Sequence, residues 1–215
     1  MPVPLKIDFV SDISCPWCVI GLRALEQAIA RLDGQVAVDL HFQPFELNPQ
    51  MPPGGQDIDE HLQQKYGSTP EQAALVRERI RAAGAALGFI FSLQTRSRIY
   101  NTFDAHRLLH WAALEGRQLA LKQALFQAYF TDGEDPSNHQ VLIRAAARVG
   151  LDATRAARIL DSNEFAAVVR KEQAFFLDQG IHAVPAVIIN NQHLIQGGQP
   201  VEVFEQALRQ IAGLA

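Results

Sequence analysis

Cysteine is scarce in this chain. Two cysteines stand among 215 residues, so one disulfide at most can form and a disulfide-stapled secreted scaffold is excluded. Basic charge is not in excess: 19 Lys and Arg face 23 Asp and Glu, a formal net charge of −4. Without surplus cations to neutralise phosphates, nucleic acid is not an expected partner. No apolar run reaches the ~18 residues that a membrane-spanning helix needs, so no membrane is expected either. The opening Met1-Pro2-Val3-Pro4-Leu5-Lys6 has neither a charged leader nor a long apolar stretch and is not read as a signal peptide. Disorder is excluded by the 48% hydrophobic fraction. The expected setting is the cytoplasm, where thiols are kept reduced and a cysteine pair is more often catalytic or metal-binding than structural.

What is present is a pair three residues apart, Cys15 and Cys18. Upstream, apolar Leu5, Ile7 and Phe9 alternate with Lys6 and Asp8, the period of a strand. Downstream, Leu22, Leu25, Ile29 and Leu32 recur at helical spacing up to Asp33-Gly34, and Pro16 suits the first turn, where its missing N–H has no partner to lose. Val36, Val38, Leu40 and Phe42 then form a second alternating strand, completing a βαβ unit with parallel strands. Residues 44–56 are rich in proline and glycine and read as a linker. Helices follow without convincing strand alternation. One is announced by the capping box Thr69-Pro70-Glu71-Gln72 and ends near Gly88. Others run from Asn101 or Thr102 to Gly116, from Arg117 to Asp132-Gly133, from a Ser137/Gln140 cap to Gly150, and from Asp152 to Leu160. A further helix reaches Gln179-Gly180. Val184 to Ile189 is a β-branched run, Asn190-Asn191 is a hairpin signal, His193 to Gln196 continues as the partner strand, and a last helix follows Pro200.

A Cys-x-x-Cys at a helix start after a strand has a physical purpose. The thiolate is the reactive form, and unpaired N–H groups at the helix N-terminus favour negative sulfur. Cys15 sits where those donors converge, so its pKa is expected to be lowered. Cys18, one turn inward, is expected to be more shielded. Cys15 then forms the mixed disulfide with substrate, and Cys18 resolves it. Pro185 follows the β-branched Val184 and opens an apolar strand, where a proline has positional meaning.

Cys15-Pro16-Trp17-Cys18, the β-α-β opening, the helical insertion and Ala183-Val184-Pro185 before a hairpin together resemble the DsbA-like branch of the thioredoxin superfamily. Ser11-Asp12-Ile13-Ser14 before the cysteines, Asn101-Thr102-Phe103-Asp104-Ala105-His106-Arg107 and Gly197-Gly198-Gln199-Pro200 are similar to the FrnE-type members. The resemblance covers nearly the whole chain. It implies an α/β thioredoxin-like fold from residues 1–54 plus 163–215, with an all-helical domain inserted at 55–162. It also implies dithiol–disulfide exchange, with Cys15 as nucleophile, Cys18 as resolving thiol and Pro185 as a cis-proline facing them. The missing export signal leaves the direction open between oxidase, reductase and isomerase. Some FrnE-type proteins carry a second cysteine pair near the C-terminus; none exists here, so no internal relay is available.

Around this core stand Pro16, Trp17, Val184, Asp12 and His106 as substrate-binding or tuning residues. Trp17 either contacts substrate or shields the sulfurs. Asp12 either accepts a proton during exchange or serves in capping or solvation. His106 and His110 either pack their helix or line a groove beside Cys15, and the resemblance sets His106 above His110. No metal or organic cofactor is required, with glutathione possible as co-substrate. The expected partners are a disulfide-containing protein or small molecule and a cellular thiol reductant or oxidant, acting on a monomer or homodimer. Two rival readings stay open. One is a glutathione-dependent isomerase or transferase of the same fold, although those usually carry serine where Cys15 stands. The other is a non-enzymatic zinc or partner-binding protein, with His106 and His110 completing a Cys₂His₂ site.

Overall fold

The computed structural model describes residues 1–92 and 96–214. Its central sheet is assembled from both chain ends in the order β2-β1-β5-β6. Strand β1 (Val3–Ser11) runs parallel to β2 (Val36–Pro44), joined by helix α1 (Pro16–Arg31). Strand β5 (Ala186–Ile189) is antiparallel to β1, and β6 (His193–Gln196) is antiparallel to β5. Their hairpin turns at Asn190 and Asn191, whose φ angles of 52° and 57° are those of the tight turn read from the sequence. The sheet therefore has one parallel and two antiparallel pairings, the thioredoxin-like arrangement with a helical insertion.

Strand β1 shows why this sheet holds a buried site. Its first half alternates, with Leu5 and Ile7 buried and Lys6 exposed. From Ile7 onward every residue is buried, because both faces are covered there. Phe9 enters the main apolar cluster with α1 and with Phe204 of α9 (Val201–Ile211). Val10 points into a smaller cluster with Phe45, Phe176, Ile181 and Ala186. Each clustered side chain contributes on the order of 1.5–3 kcal/mol through burial.

The insertion is largely helical: α2 (Ile58–Tyr66), α3 (Pro70–Ala86), α4 (Phe103–Leu114), α5 (Gln118–Phe130), α6 (His139–Arg148) and α7 (Ala153–Leu160), after which α8 (Ala166–Asp178) leads back to the sheet. The capping box of Thr69 and Gln72 forms as read. The cap of α6 is displaced by one residue: Asn138, not Ser137, accepts from the Gln140 N–H, while Ser137 is bonded to Asp135. Two short strands also lie here, β3 (Gln56–Asp57) and β4 (Arg98–Ile99), paired antiparallel. Two-residue strands offer no alternation to read. The apolar cluster is continuous between sheet and insertion, from Leu5 and Phe9 through Phe126 and Tyr129 to Leu160. Among the described residues, no helix is long and apolar enough to cross a membrane.

The start of the supposed linker is a correction. Pro44, Phe45 and Glu46 are buried. Glu46 accepts from Gln173 and Arg170 of α8, and the Leu47 N–H is bonded to Asp12 at 2.6 Å. The proline and glycine content reflects turns at Asn48 to Gly55, not looseness throughout.

Candidate active site

The site is built where β1 ends and α1 begins. Cys15 is the N-cap of α1, with extended backbone (φ −91°, ψ 111°), and Pro16 takes the first helical position. No side chain caps this helix end, so the Cys15 sulfur stands where a capping oxygen ordinarily would. Cys15 is 4% exposed and Cys18 is fully buried. The Cys18 N–H donates to the Cys15 carbonyl at 3.1 Å, closing the first turn. This is the graded shielding expected of an outer and an inner thiol.

The second wall comes from the far end of the chain. The Val184–Pro185 bond is cis, as read from the sequence. The Cys15 thiol points at the Val184 carbonyl, with Sγ and oxygen 3.6 Å apart. The Pro185 carbonyl accepts from the Gly197 N–H at 2.8 Å, tying this turn to Gly197-Gly198. Two glycines permit the close fit. A Cβ on Gly21 of α1 would lie 3.1 Å from Pro185 Cγ, and one on Gly198 would lie 2.9 Å from the Trp17 carbonyl oxygen. Trp17 itself is half-buried and packs against the main core.

Behind the cysteines lie charged groups. Asp12 is fully buried, which removes the solvated role held open for it, and it does not cap α1. Its carboxylate accepts from the Ser14 N–H at 3.2 Å, the Ser14 hydroxyl at 2.9 Å and the Leu47 N–H at 2.6 Å. Burial alone would raise its pKa. His106, the Leu47 N–H and Thr102 outweigh burial and hold the carboxyl below its usual range. His106 is buried and faces Asp12, with Nε2 3.6 Å from Oδ1 and otherwise unpartnered. His110 turns elsewhere, 3.3 Å from Glu172 and against the Phe165 ring. His106 and His110 share a cavity of about 140 Å³ with His41 and Glu172, and neither cysteine lines it. Among the described residues, no three His, Cys, Asp or Glu side chains are grouped to hold a metal ion.

Lys122 was missed in the sequence reading. It projects from α5, is fully buried, and its Nζ has no hydrogen-bond partner. The ring centroids of Phe126 and Phe42 lie 5.0 and 5.8 Å away. Burial pushes its pKa down to about 8, against the opposing charges of Cys18, Asp12 and Cys15. Cys18 is pushed well above the ordinary thiol value, by burial first and then by its hydrogen bond and charge interaction with Cys15; Lys122 acts the other way. A signal for Lys122 existed, since it is the single charged residue in the 13-residue helix QLALKQALFQAYF. A helix apolar nearly all round is buried, and so is its one charge. Lys65 and Tyr66, at the end of α2, were also missed. Lys65 Nζ donates to the Leu47 carbonyl and to Asn48 Oδ1, at 2.8 and 2.7 Å. Tyr66 is 60% exposed, and its phenol is raised by burial and then by the charge of Cys15.

Comparison with known proteins agrees with this geometry. The model of the DSBA-like thioredoxin domain matches residues 6–209. The chain belongs to this family. A solved member, the probable DsbA oxidoreductase SCO1869 from Streptomyces coelicolor, superposes with a TM-score of 0.89 at 33% identity, covering 97% of this chain and 90% of that one. The cytosolic disulfide reductase DsbM from Pseudomonas aeruginosa, solved with GSH, shares the fold with a TM-score of 0.68 at 17% identity, over 97% and 100% of the two chains. The uncharacterized protein YwbO of Bacillus subtilis is 26% identical over 209 residues, 97% of this chain and 96% of the relative. Membership places the chain among DsbA-like thiol–disulfide oxidoreductases.

Proposed function

We propose that this protein is a dithiol–disulfide oxidoreductase or disulfide isomerase in which Cys15 is the nucleophile and Cys18 the resolving thiol. The observation that carries the reading is the pairing of Cys15 at the open end of α1 with the carbonyl of Val184, before Pro185. In the reducing direction, the Cys15 thiolate attacks one sulfur of a substrate disulfide. The substrate S–S bond breaks, and the departing thiolate takes a proton. Cys18 then gives up its proton as its sulfur bonds to Cys15, releasing the second substrate thiol. Two electrons pass to the substrate, and Cys15–Cys18 is left as the disulfide. The reverse sequence oxidises a substrate dithiol.

The burial of both sulfurs supports this division of labour. Cys15 retains a narrow exposed surface, whereas Cys18 has none and can meet only a sulfur already bonded to Cys15. No metal or organic cofactor enters the proposal. The substrate is a protein or small-molecule disulfide, glutathione being one thiol of suitable chemistry to complete the cycle. We place this activity in the cytoplasm, because a chain whose only cysteines are the working pair suits a compartment without structural disulfides.

Trapping with Cys18→Ser tests the reading. Mixed disulfides on Cys15 are expected to accumulate from oxidised glutathione or from cell extract, and to vanish in the Cys15→Ser, Cys18→Ser double variant. Activity of Cys18→Ser that turns over undiminished, with no trapped adduct, supports the glutathione-dependent isomerase or transferase instead.

A further inference from the structure

We propose that Arg96 and Arg77, together with the Ser97 hydroxyl, form an oxyanion-binding site in the helical insertion, suited to a phosphate or carboxylate group. The site is independent of the exchange reading, because neither cysteine lines its cavity.

Arg96 carries a charge that the chain itself does not answer. Its guanidinium carbon lies 5.0 and 4.9 Å from the ring centroids of Tyr129 and Phe130. The residue as a whole is half-buried, but its Nε and Nη1 are buried without a hydrogen-bond partner. Comparable arginines of the chain are answered. Buried Arg107 donates to the carbonyls of Ile159, Ser162 and Glu164 and to Asp104. Arg170 also lies over a ring, that of Phe103, yet pairs with Glu46. A buried lysine can shed its proton, whereas a guanidinium stays charged. Two aromatic faces offset less than the loss of a guanidinium's hydration costs.

Arg96 lines a cavity of about 240 Å³ with Arg77, Ser97, Asp57, Ile58 and Asp59. The two carboxylates at this cavity are engaged elsewhere. Asp57 caps α2, its Oδ1 accepting from the Asp59 and Glu60 N–H groups at 2.9 and 3.1 Å. Asp59 pairs with Arg77 at 2.5 Å. Among the described residues, Arg96 is left without an ion pair. The three residues before it, Leu93, Gln94 and Thr95, add no acidic side chain. The donors set the ligand chemistry. A planar guanidinium matches two oxygens of one carboxylate or phosphate, and Arg77 adds a second positive group to the same space. The volume lies below the roughly 300–1,000 Å³ of pockets for drug-sized ligands. The fitting ligand is a small ion, or the charged end of a larger molecule.

The test adds sodium phosphate, sodium acetate or sodium chloride to the intact protein at pH 7 and matched ionic strength. Thermal unfolding and calorimetric binding are read. Phosphate or acetate is expected to raise the unfolding temperature saturably where chloride does not. Phosphate alone identifies a phosphate ligand, acetate alone a carboxylate, and both an oxyanion site without preference. Arg96→Met, which keeps the packing bulk, is expected to bind the anion about tenfold more weakly, and Arg77→Gln a few-fold more weakly. If neither phosphate nor acetate exceeds chloride, the proposal is overturned. Undiminished binding in a folded Arg96→Met protein overturns it too, because the anion then sits elsewhere. Should Arg96→Met fail to fold, parent protein with isotope-labelled arginine answers by NMR. The Arg96 Nε–H signal is expected to shift saturably with the added anion, and a signal that stays fixed contradicts the site.

Discussion

Strand β1, helix α1 and strand β5 deliver Cys15, Cys18, Val184 and Pro185 through short contiguous motifs whose backbone geometry positions them. Helices α4 and α5 deliver His106 and Lys122 differently, as polar side chains among mostly apolar buried neighbours such as Ala105, Leu109, Leu121 and Leu125, with Arg107 buried next to His106. The first group carries the proposed reaction; the second is buried away from solvent, His106 beside Asp12 and Lys122 by the rings of Phe42 and Phe126. The difference teaches that the insertion is more than a lid over a thioredoxin-like sheet. Its buried side chains share the main apolar cluster with Cys15, Cys18 and the sheet.

The comparison breaks most readily at Cys15. Cys15→Ser should reduce disulfide exchange to the uncatalysed background with little effect on folding, checked by glutathione-coupled turnover alongside thermal unfolding. On the inserted side the sign reverses, since Lys122→Met should stabilise the fold. The displacement of Lys122 from 10.5 to about 8 corresponds to about 3 kcal/mol held against folding at neutral pH. The unfolded state binds the extra proton between those two values, so the parent gains stability as pH rises from about 8 toward 10.5. Raised Cys18 opposes that gain in the alkaline range, because the folded state keeps the thiol proton longer. The difference between parent and Lys122→Met in denaturant titrations at pH 7 and pH 10 isolates the lysine.

Asp12 joins the two regions. Asp12→Asn turns one of its acceptor positions into a donor facing N–H or O–H groups, at a cost of about 2 kcal/mol. Because its carboxyl is held below the ordinary 3.8, the parent keeps this stabilisation above that value and loses it as pH falls through the lower folded value. Asp12→Asn should flatten that acid limb in urea unfolding. Gly198→Ala should cost about 1 kcal/mol by forcing the turn away from the Trp17 carbonyl, read as a fall in unfolding temperature. The smallest effect is expected at Tyr66. Its exposed ring predicts a stability change within about 0.5 kcal/mol for Tyr66→Ala, with a few-fold slower exchange toward a bulky disulfide substrate than toward glutathione.

The same contrast explains what was legible in the sequence. Cys15-Pro16-Trp17-Cys18, the alternation of Leu5, Ile7 and Phe9, and Asn190-Asn191 are local signals, and backbone geometry realises them locally. The cis Val184–Pro185 bond was legible through the resemblance to thioredoxin-type sheets, with Pro185 opening an apolar strand. Asp12 was visible as a residue but not as a buried one. Its partner Leu47 lies 35 positions away and donates a backbone N–H that no side-chain motif announces. Lys122 stood out as the single charge of α5, but its burial follows from α5 packing against β2. Strands β3 and β4 were too short to carry a period, and Asn138 displaced Ser137 because Asp135 had already taken the serine.

The central claim is that Cys15 and Cys18 form one reversible two-electron couple. The most direct measurement is the intact mass and thiol count of the purified protein, cycled between oxidised glutathione and dithiothreitol. The account predicts a fully interconverting pair of species differing by two hydrogens, with both thiols alkylated in the reduced form and neither in the oxidised form. A protein that ends as a stable glutathione adduct on Cys15 while Cys18 stays a free thiol would contradict it.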